Sequence, residues 1–388
     1  MTLSVLREHL DRGGAALLSH PATYAVAEGA VIAPARYAAP GGGAVFVHER
    51  RFVDGRFVTT TLIDSKQSQS NRSEQRIVEA RHGGGAATEV PMIEVTYPSC
   101  TIFDATLPHR AVDAHIRSAT EDGTPVVDTT WYRALRDATH ADLSPVFTTS
   151  PVTLAFGGWD STRARGQLRI RSHYVSELFG VVDTAEDHLS RRNGGRLDPL
   201  GQDFNISPDE FEALLDRQRG EMSPRTVKKL EQELTKARKG KDGATVSAST
   251  MLLGGIPPGT DTPYGVSVPE VRRARTYSLA GLRRLRFGGS VEEDVAARAA
   301  LLALLLLGAA YADADPEIRA YCDVASPKGQ LLLDEDPFDV DASIDACEAF
   351  LTEAVGALPP RLAWRGQTKR LVGDPALDRG AVAETAEE

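Results

Sequence analysis

Cysteine is scarce in this chain: Cys100, Cys322 and Cys347 are the only three among 388 residues, with no C-x-x-C pair. An odd, widely spaced set argues against a disulfide framework and a cysteine-rich zinc site, and for a reducing compartment. Long apolar runs are missing too. The most apolar run, Ala299 to Ala310, is too short to span a bilayer and follows Arg298 directly. The opening MTLSVLREHLDR carries charge at Arg7 and Glu8 and lacks an apolar signal core. These absences describe a cytoplasmic protein with no membrane partner, in which Ala299 to Ala310 lies in a buried helix. Catalytic signatures are also wanting. The nine histidines show no H-E-x-x-H and no His/Cys grouping at metal spacing. No G-x-S-x-G elbow marks a serine nucleophile, and no G-x-x-x-x-G-K-[ST] loop follows a strand. The expectation is a protein without catalytic residues, metal or cofactor. The one competing arrangement is Asp64, Asp104 and Asp160, which together would hold Mg²⁺ for phosphodiester cleavage.

Positive charge is in deficit overall, with a net charge of −10, but it is unevenly spread. From Val271 to Gly288 there are six arginines (Arg272, Arg273, Arg275, Arg283, Arg284 and Arg286) and no acid. Ser161 to His173 adds Arg163, Arg165, Arg169 and Arg171, again without an acid. Asp313 to Glu348 holds eleven acids against Arg319 and Lys328. Such polarity suits phosphate at the basic stretches, and an acidic face suits head-to-tail assembly with a neighbour's basic face. Arginines crowded without an acid call for a polyanion or an acidic partner to neutralise them.

The element pattern is mixed. Ala44 to His48 and Phe57 to Ile63 read as strands, with Asp54-Gly55 as a hairpin turn. A helix opens at Ser65 and stops at Gly83-Gly84-Gly85. Pro91 to Tyr97 reads as a strand, Arg110 to Ser118 and Thr130 to Ala138 as short helices, and Val152 to Phe156 as a further strand. A long helix runs from Val291 to Tyr311, with a capping box of Ser290 and Glu293. This rhythm predicts an α+β fold with a ferredoxin-like, RRM-type β-α-β-β-α-β core and large inserted subdomains. Residues 1–40 read as an N-terminal segment. Residues 41–183 and 251–360 form the core, and 184–250 an inserted helical subdomain opened at Ser207-Pro208 and Ser223-Pro224. Residues 361–388 form a tail, partly disordered.

The most telling stretch is LIDSKQSQSNRSEQR, Leu62 to Arg76. Its first two helical turns are polar, and no apolar stripe appears before Ile77 and Val78. They are built to touch something polar, and a helix N-terminus suits phosphate. A second motif is FGGWDSTRARG. Gly157-Gly158 permits close backbone approach, Trp159 is read as a core anchor, and Ser161 to Arg165 supply donors for a sugar-phosphate chain.

DSKQSQSNR resembles the D-S-x-Q-S-Q-x-N-R signature of backbone subunits of type I-G (formerly I-U) CRISPR interference complexes, members of the RAMP superfamily. Further matching pieces follow in order: PHRAVDAHIRSA, LAFGGWDSTRARG, SELFGV, GGIPPG, SLAGLRRLRF and YCDV, spanning roughly residues 40–325. The resemblance implies a non-enzymatic subunit that polymerises along a CRISPR RNA and presents its bases to target DNA, in antiviral defence. Implied partners are that RNA, the target DNA, further copies of the chain, the large subunit, the fused capping and processing subunit and, at interference, the helicase-nuclease. The residues assigned to RNA are Ser65, Lys66, Gln67, Ser68, Gln69, Asn71 and Arg72; Ser161, Thr162, Arg163 and Arg165; and Arg272, Arg273 and Arg275. Two rival functions are a metal-dependent RAMP ribonuclease and a protein-only scaffold.

Overall fold

The computed structural model describes residues 3–39, 44–163, 168–182, 189–191, 195–240, 244–256 and 263–378. The chain divides into two compact units, residues 1–188 with 266–388, and residues 189–265.

The first unit is built on a nine-stranded sheet. Its strands are β1 (Leu17–Ser19), β2 (Ala22–Ala25), β3 (His48–Val53), β4 (Arg56–Asp64), β5 (Tyr174–Val182), β6 (Glu270–Ser278), β7 (Lys328–Gly329), β8 (Leu332–Leu333) and β9 (Asp336–Pro337). The order is β9-β8-β1-β6-β5-β4-β3, with β2 continuing β1 along β6 and pairing with β7. All these pairings are antiparallel. Helix α1 (Lys66–Gly83) lies in sequence between β2 and β5, and helix α2 (Val291–Ala314) between β6 and β7. This is the β-α-β-β-α-β arrangement, with β1/β2 and β5 parallel to each other on either side of β6. The first core strand therefore comes from residues 17–25, within the segment read from sequence as N-terminal. The β3–β4 hairpin is an addition at the β5 edge. Its turn at Asp54 and Gly55 has φ of +51° and +76°, the left-handed pair that two-residue hairpins require.

Helices α1 and α2 pack against each other. Gly308 makes this approach possible, because a Cβ there would stand 2.7 Å from Ile77 Cδ1 and 3.0 Å from the Ser73 carbonyl. Helix α2 is long and apolar enough to cross a membrane, but 78% of its apolar window is buried inside the protein. The explanation is its position against α1, helix α3 (Ile344–Gly356), the helix Pro151–Phe156 and the 3₁₀ helix Leu3–Leu10. Its start carries the capping box of Ser290 and Glu293.

Met92–Thr96 does not join this sheet. It belongs to a separate five-stranded one, between the edge strand Thr101–Phe103 and the central strand Thr368–Val372, to which it runs parallel. Pro151–Phe156 is a helix rather than the expected strand. Pro151 suits its first turn, where no N–H is needed, and all six residues are buried. A short run buried on every side has no alternation from which to read its state.

The second unit pairs helices Pro208–Gln218 and Pro224–Arg238 around Phe211, Leu215, Leu230 and Leu234. Ser207 and Glu210 close a capping box on the first helix, and Ser223 caps the second.

Candidate nucleic-acid interface

The polar start of α1 divides into an inward and an outward set. Ser65 caps the helix, its Oγ accepting the Ser68 N–H at 3.2 Å. Asp64, fully buried, is the hub of the inward set. It accepts from Gln69 Nε2 at 2.7 Å, Arg72 Nε at 3.0 Å and Arg319 Nη2 at 2.5 Å. Gln69 also accepts from Ser176 Oγ on β5, while Arg72 donates to the carbonyls of Glu317 and Ile318. Arg319 further donates to the Ala33 and Ile63 carbonyls. Gln69 and Arg72 therefore do not present themselves to phosphate as the sequence reading expected; they fasten the segment before Tyr321-Cys322 to the helix. Facing outward are Lys66, Gln67 and Asn71, all exposed, with Ser65 and Ser68 half-buried. Lys66 lies 3.9 Å from Glu177, whose main partner is Arg51 at 2.7 Å.

The arginines of β6 split by strand alternation. Arg273 and Arg275 point to the helical side, with side chains 0% and 1% exposed. Asp313, near the end of α2, receives both: Arg273 Nη1 at 2.6 Å, and Arg275 Nη1 and Nη2 at 2.8 Å each. Burial pushes the Asp313 carboxyl up, but the charges of Arg275 and Arg273 outweigh it and hold it below the usual carboxylate range. These two arginines are thus structural, correcting their assignment to RNA; an internal acid supplies the neutralisation that a polyanion was expected to supply. Arg272 faces the other side, 27% exposed, and pairs with Asp54 at 2.7 Å and Glu270 at 2.6 Å. Arg283 donates to the His9 and Ala15 carbonyls, and Arg286 pairs with Asp294.

The glycine-tryptophan motif forms a small hairpin in which Gly158–Trp159 pairs with Arg169–Ile170. Gly157 opens it at φ +97°, and a Cβ there would meet the Ser172 nitrogen at 2.8 Å. Trp159 is 47% exposed rather than a core anchor, and the Arg169 guanidinium sits 4.8 Å from its ring centroid. An aromatic face with an arginine beside it is a platform for a stacked base. Ser161 and Thr162 are exposed at the tip. Thr162 donates through N–H and Oγ1 to Asp160 and accepts from Arg117 at 3.0 Å. Burial pushes the Asp160 carboxyl up, and the Thr162 hydrogen bonds with the Arg117 charge overcome this and lower it. Arg163 donates to the Arg136 carbonyl at 2.6 Å and pairs with Asp137 at 3.1 Å. Arg165 lies outside the described residues.

One residue that the sequence did not assign to the site links this hairpin to α1. Arg110, at φ +46°, holds Glu74 through two 2.6 Å hydrogen bonds and donates to the Gly157 carbonyl at 2.9 Å. Its position within the PHRAVDAHIRSA motif was the available signal. The three aspartates proposed for Mg²⁺ are each engaged elsewhere. Asp64 and Asp160 are held as described. Asp104, fully buried, accepts from Ser150 Oγ and the Ile93 and Ala105 amides, and burial pushes it up to about 6. Among the described residues no group of three or more His, Cys, Asp or Glu is arranged to hold a metal ion.

No curated protein matches the chain. Residues 18–184, which run from β1 through β5 and carry both the α1 and Trp159 motifs, match the family described as CRISPR-associated protein GSU0053. Over that stretch, less than half of its length, the chain is similar to a CRISPR-associated protein family.

Proposed function

We propose that the chain is a RAMP-type backbone subunit of a type I-G CRISPR interference complex. It binds the CRISPR RNA without cutting it, oligomerises along the guide and presents its bases to target DNA. The observation that carries this reading is the exposed Trp159–Arg169 platform on a hairpin held by Arg110, in a chain matching a CRISPR-associated family. An aromatic face grips any base by stacking, and the surrounding Arg117, Arg163 and Arg171 neutralise backbone phosphate. The protein thereby reads shape while base pairing reads sequence. Lys66, Gln67, Asn71 and Arg272 add outward polar and cationic groups at α1 and β6. In this role the chain works in the cytoplasm beside the large subunit, the capping and processing subunit and, at interference, the helicase-nuclease.

The test is the affinity of Trp159→Ala with Arg169→Ala for synthetic single-stranded RNAs of unrelated sequence. Loss of one stacking platform weakens binding by about 1–3 kcal/mol, to a similar extent for each sequence. Unchanged affinity in a folded double variant removes the hairpin from the interface, and magnesium-dependent cleavage of the RNA would make the chain a nuclease instead.

A further inference from the structure

Two features at opposite ends of the sheet are not used by that reading. At one end the β3–β4 hairpin places Phe52 directly opposite Phe57. Their rings meet edge to face at 5.3 Å, yet the residues are 66% and 67% exposed. The arm itself is firmly held: Arg51 binds Glu177 at 2.7 Å and lies 4.8 Å over the Phe179 ring, and Asp54 binds Arg272 at 2.7 Å. Arg50 stands 5.8 Å from the Phe57 ring, and Arg56 is exposed beside it. Neither has a carboxylate partner among the described residues. A held arm that exposes an aromatic pair flanked by cations has the composition of an interface anchor.

At the other end, β8 and β9 border a cleft of about 660 Å³. Its walls include Ala310, Leu331, Phe338 and Ile344, and its rim carries Asp339 and Asp345, both exposed. Residues 334–345 contain six acids and no lysine or arginine. Asp313 at the back of the cleft is already taken by Arg273 and Arg275, and the rim acids Asp339 and Asp345 have no cationic partner among the described residues.

We infer that the Phe52–Phe57 arm of one copy seats in the Asp339–Asp345 cleft of a second copy. The apolar walls receive the two rings, and the acidic rim meets Arg50 and Arg56. Because arm and cleft lie at opposite ends of one sheet, the contact is heterologous, and each copy keeps one face free for the next. The acidic rim disfavours RNA as the occupant of the cleft. The inference rests on the proposed assembly of copies along a guide and names the surface that joins them.

The experiment is native mass spectrometry of the full chain, with and without a synthetic single-stranded RNA. Three variants are compared: Arg50→Glu with Arg56→Glu, Asp339→Arg with Asp345→Arg, and Phe52→Ala with Phe57→Ala. All six sites but the phenylalanines carry exposed charges, and melting temperature checks folding of each. Each charge variant alone should lose roughly tenfold or more in self-association, and mixing the two should restore alternating multimers. The phenylalanine variant should lose roughly 30-fold or more and not be rescued by mixing. A wild-type chain that stays monomeric in both conditions, or variants that multimerise as wild type does, overturns the assignment. So does an arm variant that loses RNA while multimers persist, which makes the arm an RNA surface. If multimers respond as expected but no RNA binds, the RNA-binding reading falls and this contact stands.

Discussion

Replacing Asp313 by asparagine should unfold the protein far more readily than any change at the exposed arginines. The wild-type carboxylate accepts three hydrogen bonds, at 2.6, 2.8 and 2.8 Å, from two guanidinium groups that are 0% and 1% exposed. Asparagine keeps one acceptor oxygen and no charge, leaving two buried cations without a counter-ion. Breaking a buried ion pair in this way costs about 3–5 kcal/mol. For a unit of this size the melting temperature should fall by about 5–15 °C. Arg272→Ala removes pairs with Asp54 and Glu270 from a partly exposed side chain and should cost at most about 1 kcal/mol. Substituting all three of Arg273, Arg275 and Asp313 by apolar residues of similar volume should recover much of the loss, because the desolvation cost disappears with the charges. The assay is thermal and urea unfolding followed by circular dichroism. If Asp313→Asn melts within about 2 °C of wild type, the two arginines are not held as described, and their assignment to RNA reopens.

The two cations of the α1 motif should behave differently. Lys66→Ala should leave melting unchanged and reduce the salt dependence of RNA binding by about one unit, whereas Arg72→Ala should destabilise the fold by about 1–3 kcal/mol through its lost bonds to Asp64 and two carbonyls. His173 supplies a pH test. It is 2% exposed, neither ring nitrogen has a partner among the described residues, and burial lowers its pKa from 6.5 to about 4. The unfolded chain then binds the extra proton between these values. The stabilising contribution of neutral His173 is full above pH 6.5 and is lost as pH falls towards 4, by about 3 kcal/mol in total. Asp104 is raised by burial and drives the opposite trend over part of that range, so the measurement is the difference between wild type and His173→Phe in urea unfolding from pH 7 to 4.5. A difference that does not change with pH refutes the buried neutral histidine.

What could be read from sequence was local. Ser65 as a cap, Gly84 as a left-handed stop, the Ser207–Glu210 and Ser290–Glu293 capping boxes and the Asp54-Gly55 turn all depend on residues within a few positions of each other. What escaped reading was set by distant partners. Asp313 lies 40 and 38 residues from Arg273 and Arg275, and Arg319 lies 255 from Asp64. A cluster of arginines that looks unneutralised along the chain is neutralised in space. Strand alternation within β6 also separates Arg272 from its two neighbours, which grouping by charge alone conceals. β1 and β2, of three and four residues, are too short to show a period. Trp159 escaped because a single aromatic gives no periodic signal of which side is buried; only the Gly157 turn and its pairing to Arg169 bring it to the surface.

The central claim, that this chain holds a CRISPR RNA, is tested most directly by sequencing whatever nucleic acid remains with it after co-expression with a CRISPR array and purification in moderate salt. The account predicts ribonuclease-sensitive material derived from the array. It should be present with wild type and with Arg50→Glu/Arg56→Glu, and depleted with Trp159→Ala/Arg169→Ala. A folded wild-type chain that emerges with no array-derived RNA would contradict it.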